Sequence, residues 1–451
     1  MQVIADLQIH SRFARAVSPE MTIPNIAAWA KRKGIGLMAT GDWTHPLWFR
    51  EIEKNLEEIG GGILKVKGAS DGDPKFLLAT EVSCIYSQGG KGRRIHTLIW
   101  VPTIDAVRKI SKEMTKRGCN LMSDRRPIIG LTSINVAELV FSIERKALII
   151  PAHAWTPWFA VYGAMSGFNS LTEAFGEYAN QIYAVETGLS SNPSMNWQIK
   201  ELDHRSILSF SDAHSGPKIG REATVFELET LSYDAIREAV MQPATGKPEG
   251  KNHVAYTIEF YPEEGKYHYT GHRACNIRWG PEETREKGTT CPVCGKPLTQ
   301  GVVQRVSELS GRTEKDLNLE FRMKNSELGI TGAKMMYSKT FPKRKPFAML
   351  VPLQEIIAEA IGSPVASKKT QIIYMKLTDE LGGEFNVLLH TKKEDIAHVS
   401  IPRVAEGVEK VRTGDIFIDP GYDGVFGVVK IWKEGDENPL VDVTREQLPI
   451  F

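Results

Sequence analysis

No apolar run in this 451-residue chain approaches the roughly 20 residues needed to cross a bilayer. The opening Met1-Gln2-Val3-Ile4-Ala5-Asp6 lacks the basic flank and cleavable apolar stretch of a secretory signal. Cysteine is scarce: five residues exclude a disulfide scaffold, and the clustering of Cys275, Cys291 and Cys294 points to metal in a reducing compartment. Charge bias is missing too, since 56 Lys and Arg face 55 Asp and Glu for a net +1. Any contact with a polyanion must therefore come from local clusters such as Lys91-Gly92-Arg93-Arg94, Arg125-Arg126 or Lys343-Arg344-Lys345, and such runs are more often plain solvated surface. Repeats and low-complexity tracts are absent. The expectation is a cytoplasmic protein with no membrane partner and, as nothing marks an obligate interface, a monomer.

What is present is an alternation of strand and helix over about the first 225 residues. Residues 2–6 form an apolar strand. Thr22 can cap a helix with Pro24 in its first turn and Gly34 at its end. Strands follow at 35–39, 76–79 and 95–101, then a helix capped by Ser133, then strands at 147–151, 182–185 and 207–210. Seven or so such units predict a closed or nearly closed parallel barrel over 1–245. Residues 245–252 read as a linker, 253–302 as a compact Cys/His module, and 303–451 as a mixed α+β region. That last region holds a helix over 352–360 and strand-like runs at 371–375 and 425–431.

Ligand-type residues fall where strands end. Gln8 and His10 follow the first strand, Asp42 and His45 the second and Glu81 the third, while His96 lies within the next. His153 follows Ile149-Ile150-Pro151-Ala152, and Asp212 and His214 follow Leu208-Ser209-Phe210-Ser211. In a β/α barrel these ends converge on one face. Imidazoles and carboxylates together suit zinc, manganese or iron, and paired cations can hold a hydroxide in line with phosphorus. One such histidine alone is usually structural; the joint pattern is the signal. His45, directly before Pro46, reads equally as a ligand or as a helix start.

A second constellation is His272-x2-Cys275 with Cys291-Pro292-Val293-Cys294-Gly295, spaced H-x2-C-x15-C-x2-C. Two ligand pairs on tight turns close a tetrahedral zinc site with no open position, so this zinc is structural. His268 rivals His272 for the fourth place.

The motifs Asp6-Leu7-Gln8-Ile9-His10-Ser11, Thr40-Gly41-Asp42, Glu81, His96, Ala152-His153 and Ser211-Asp212-Ala213-His214 resemble those of the polymerase-and-histidinol-phosphatase (PHP) superfamily. The resemblance implies a distorted (β/α)7 barrel holding two or three divalent ions (zinc, manganese or magnesium). It makes His10, Asp42, Glu81, His96, His153, Asp212 and His214 ligands, with Glu81, Asp212 and His214 closest to the chemistry. Gln8 departs from the pattern by standing where the family has histidine, and its neutral amide would ligate weakly; Asp42 also replaces a common histidine.

The barrel motifs followed by Gly271-His272-Arg273-x-Cys275, Cys291-Pro292-x-Cys294-Gly295 and a C-terminal region resemble endonuclease Q and its relatives. So do Glu186-Thr187-Gly188-Leu189-Ser190-Ser191-Asn192-Pro193, Gly220-Arg221-Glu222-Ala223 and Pro420-Gly421-Tyr422-Asp423-Gly424. This resemblance implies double-stranded DNA carrying a deaminated base or an abasic site as substrate, cut 5′ to the lesion. A sliding clamp is conceivable as a further partner, although no motif marks one. Lesion recognition takes the nucleotide out of the stack. Trp155 and Trp158 are candidates for a wedge or stacking wall, against plain core packing. Ser190 and Ser191 are candidates for base-edge or phosphate contacts, against a polar turn, and Arg221 for a phosphate clamp, against a rim ion pair. A small-molecule phosphatase needs neither the zinc module nor the C-terminal region, and an exonuclease would require free ends.

Overall fold

The structure, a computed structural model, describes residues 1–122, 128–245, 250–323, 330 and 332–433. Arg125-Arg126 and part of the 245–252 linker lie outside the described residues.

The first elements follow the sequence closely. Strand Gln2–Asp6 leads to helix Ile23–Lys33, which starts at Thr22 and stops at Gly34, whose φ of 84° is the left-handed cap that glycine supplies. Leu37–Ala39 and then Lys75–Gln88 add in parallel. The expected all-parallel order fails at the next strand. Lys91–Val101 pairs antiparallel with Lys75–Gln88, from Leu78↔Val101 to Gln88↔Lys91. Only Gly89-Gly90 separates the two, and both take positive φ, so the chain reverses in a tight turn with no room for a crossover helix. Leu148–Pro151 also pairs antiparallel, as does Ala223–Glu227 on the far side of Gln2–Asp6. The sheet is therefore mixed. Ala184–Glu186 and Ser206–Leu208 form their own parallel pair, joined to their neighbours by Ala154 N–H to Glu186 O and by a bridge between Ile9 and Ala213. The helix expected to be capped by Ser133 is capped by Thr132, which accepts from Asn135 N.

Beyond 250 the sheet continues. His253–Glu259 pairs with Ala223–Glu227, and Phe347–Met349, Met335–Ser338 and Leu319–Arg322 extend it. The Cys/His segment stands off this sheet as the hairpin Thr270–His272/Ile277–Trp279 with a small core of Trp279, Cys291 and Leu298. The C-terminal region is more helical than its sequence predicts: Leu353–Ala360 is joined by Lys368–Glu380, Glu384–Leu389, Lys393–Val399 and Pro402–Thr413. The run 371–375 lies inside a helix, with Tyr374 buried but Ile372 67% and Met375 47% exposed. A short apolar run looks alike in either state, and Ser367, accepting from Thr370 N, decides for the helix. Of 425–431, only Val428–Lys430 is strand, paired with Phe417–Asp419.

Candidate metal centre

The polar face of the N-terminal α/β unit is built at strand ends by backbone that few residues adopt. Asp42, His153 and Asp212 have φ of 40°, 30° and 47°. Such left-handed conformations at non-glycine residues cluster at functional sites, where packing over-determines them. Gly188, at φ 57°, lets the neighbouring loop approach, because a Cβ there would lie 2.4 Å from His153 Cβ.

His10 occupies the middle. Its Nδ1 lies 3.0 Å from Asp42 Oδ1, while Asp42 Oδ2 accepts from Ser11 N at 2.6 Å. Its Nε2 lies 3.0 Å from both Glu81 Oε2 and Asp212 Oδ1. Glu81 Oε1 reaches His96 Nδ1 at 2.6 Å and His153 Nε2 at 3.3 Å. His10, Asp212 and His214 offer donor atoms within 4.8 Å of one another, and Glu81, His96 and His153 do the same. His10 Nε2 and Asp212 Oδ1 are buried and close, yet not aligned for a hydrogen bond. That is the arrangement of donors directed at a shared cation, and the imidazole–carboxylate set fits zinc, manganese or iron. Burial alone would lower the His10 pKa, but Asp42, Asp212 and Glu81 raise it well above the usual histidine range. Burial would raise Asp212, and His10 outweighs it, holding the carboxyl below its ordinary value.

Two expected ligands stand elsewhere. Asp42 lies outside both donor groups and braces His10 from behind, a second-layer carboxylate that fixes which ring nitrogen faces the cluster. Gln8 faces Glu186, its amide nitrogen against both carboxylate oxygens. Glu186 itself escaped the sequence reading. It is fully buried, accepts from His153 N at 2.7 Å, and burial followed by the charges of Asp212, Glu81 and Asp6 pushes its pKa well up. Its position at the end of a strand was the available signal. His45 caps the helix Pro46–Asn55, accepting from Trp48 N at 3.4 Å.

A cavity of about 630 Å³ adjoins the cluster. Thr156 Oγ1 lies 3.1 Å from His153 Nδ1, and the Phe159 ring is 4.8 Å from His96; both residues line the cavity. Trp158, Ser190 and Arg221 line it as well, with aromatic neighbours Tyr261 and Tyr267. Arg221 Nε donates to Ser211 O beside Asp212. Trp155 and Ser191 do not reach it. Trp155 is 1% exposed, stacks on Tyr162 and donates to Asn196 Oδ1, so it is core. Ser191 is buried and donates to Thr187 O, bracing the turn. Arg344 of the 343–345 run is likewise structural, paired with Asp203 at 2.8 Å.

His272, Cys275, Cys291 and Cys294 converge within 4.8 Å, with Cys294 Sγ 3.5 Å from His272 Nδ1. Four soft donors in this spacing fit zinc. Burial would raise the Cys291 thiol, but the backbone N–H groups of Cys294 and Val293 and the His272 side chain bring it down to about 6, towards the thiolate zinc requires. His268 lies instead in the cavity wall, where burial lowers it to about 4.

Residues 352–415 match the family described as the MJ0043 C-terminal domain. The uncharacterized protein YqxK of Bacillus subtilis is 29% identical over 448 residues, covering 95% of this chain and 99% of the relative. The crystal structure of the lesion-specific endonuclease PfuEndoQ from Pyrococcus furiosus superposes with a TM-score of 0.79 at 31% identity, over 99% of each chain. Endonuclease Q in complex with a 27-mer duplex carrying an abasic lesion gives 0.77 at 32% identity, over 96% of this chain and 98% of that one.

Proposed function

The chain belongs to the endonuclease Q family of lesion-specific DNA endonucleases, and from that premise we propose that it hydrolyses the phosphodiester 5′ to a deaminated base (uracil, hypoxanthine, xanthine) or an abasic site, using two or three divalent ions. The observation that carries this reading is His10 Nε2 lying 3.0 Å from both Glu81 and Asp212, in a cluster whose His153 and His96 meet an aromatic cavity through Thr156 and Phe159. Cations bound there would supply a hydroxide at neutral pH and neutralise the phosphate. Asp42 holds the His10 ring so that Nε2 faces the reaction centre. Glu81, Asp212 and His214 orient the attacking water. Arg221, beside Asp212, opposes a non-bridging phosphate oxygen, where a guanidinium fork is well matched. Trp158 forms the wall on which an extruded base stacks, and Ser190 offers its hydroxyl to the base edge.

The test is cleavage of matched duplexes carrying uracil, hypoxanthine, an abasic site or no lesion, with manganese or magnesium. A single cut 5′ to the lesion, lost in Asp212→Ala, is the expected result. No lesion-dependent cutting with any metal would overturn the reading.

A further inference from the structure

Trp155 lies in the core, so another side chain must fill the gap that an extruded nucleotide leaves. Among the described residues, Phe426 is 67% exposed, a large apolar surface in water, and it lines the same cavity. It follows the turn Tyr422-Asp423-Gly424-Val425, in which Tyr422 and Val425 exchange backbone hydrogen bonds at 3.0 and 2.8 Å. This turn is seated backbone to backbone on the cavity wall. Gly421 N donates to Glu263 O at 2.8 Å, Gly424 N to Lys266 O at 2.8 Å and Gly427 N to Glu264 O at 2.9 Å. A Cβ at Gly427 would lie 2.1 Å from Glu263 O, so the approach requires glycine. An aromatic side chain is thus displayed to solvent on rigid backbone, where hydrophobic collapse would have hidden it. Lys266 Nζ stands 5.6 Å from the Phe426 ring centroid and 5.6 Å from that of Tyr267, placing a cation beside the exposed ring. Trp158 packs edge-on against Tyr267 at 5.3 Å and is only partly exposed, which suits a wall and not a probe.

We propose that Phe426 is the wedge that enters the duplex at the lesion and occupies the space of the extruded nucleotide, with Lys266 contacting the adjacent phosphate. The proposal rests on the lesion-endonuclease reading. Apolar side chains inserted between base steps perform this task because they replace lost stacking with contact that needs no hydrogen-bond partner. Phe426 acts on the position of the substrate and touches no reacting bond, so it is a positioning residue.

A gap exists only in a duplex, and this sets the experiment. Uracil-containing duplex and single strand are compared as substrates for the full chain and for Phe426→Ala, with Phe426→Trp as rescue. On duplex, kcat/KM falls about 10- to 100-fold in Phe426→Ala, matching the unstacking cost left uncompensated. Single-strand cleavage stays within about twofold. In an Asp212→Ala background, 2-aminopurine next to the uracil brightens on binding with Phe426 present, loses that signal in Phe426→Ala and regains it in Phe426→Trp. Equal duplex cleavage and equal fluorescence with and without Phe426 would overturn the wedge alone. So would equal losses on duplex and single strand, which mark a general binding role. If the unaltered chain cuts neither substrate, it is the lesion-endonuclease reading that falls.

Discussion

Asp42, His153 and Asp212 hold backbone that costs an L-residue on the order of 1 kcal/mol or more each. The left-handed turn at each of these positions aims the side chain into the polar cluster. Replacing Asp212 by Gly relieves the φ of 47° but gives up the carboxylate's contact with His10. We expect Asp212→Gly to be inactive, and its stability to chemical denaturation without added metal to change by less than about 1 kcal/mol, because the backbone relief offsets the lost His10 contact. Behind the centre, Glu259 is fully buried with Ser209 and Thr257 donating to it, and burial raises its pKa to about 7. Glu222, also buried, is raised further by burial and then by Glu259. The folded state therefore keeps Glu259 protonated where the unfolded chain, near 4.5, does not. Its contribution is fully present below about 4.5 and is lost as pH rises through about 7. Glu259→Gln cannot ionise, so its melting temperature should fall less between pH 5 and 8.5, by the equivalent of on the order of 3 kcal/mol.

At the scale of elements, strand ends and their loops carry the site. The loop after Ala184–Glu186 packs on His153 only because residue 188 is glycine. Gly188→Ala adds both a left-handed penalty and a 2.4 Å clash, so His153 must move. Cleavage should drop at least about tenfold, with a stability loss on the order of 2 kcal/mol by denaturant titration. The Cys/His hairpin has a fully buried core of only Trp279, Cys291 and Leu298, so we predict that an ion held by its four donors is needed to keep it folded. Cys291→Ser should render 268–301 sensitive to limited proteolysis while strand pairing across Gln2–Asp6 persists. Uniform resistance to protease would show that the hairpin does not depend on the ion.

Across the whole molecule, one sheet runs from the candidate metal centre past the linker into the C-terminal region, and a buried ion pair ties the first helix to the C-terminal helices. Lys33, at the end of the first helix, lies 2.7 Å from Glu384 Oε2, which also accepts from Tyr374 OH, while Glu384 Oε1 accepts from Leu353 N. Both charges are almost fully buried. Glu384→Ala strands a buried ammonium, and we expect a loss of about 3–5 kcal/mol, read as a lower melting temperature. Lys33→Met combined with Glu384→Gln should recover most of it; failure to recover would place the loss in packing.

Much of the centre was legible because its chemistry is local. His10, His153 and Asp212 each sit within a few residues of a strand end, and a strand's period and flanks are short-range properties, whereas Glu81, expected just past a strand, lies in the middle of Lys75–Gln88 because that strand runs on to the Gly89-Gly90 turn. The proximity of His272, Cys275, Cys291 and Cys294 was legible for the same reason, since a tetrahedral donor set records itself as spacing. The antiparallel turn at Gly89-Gly90 was written in the sequence too, yet the expectation of a parallel barrel overrode it. What only the tertiary structure decided are relations between distant residues: Asp42 behind His10, Gln8 on Glu186, Trp155 in the core with Trp158 at the cavity, and Phe426 brought there from the C-terminal region. Burial and pairing of this kind depend on which surfaces meet once the chain has closed, and no residue's own neighbours in sequence encode that.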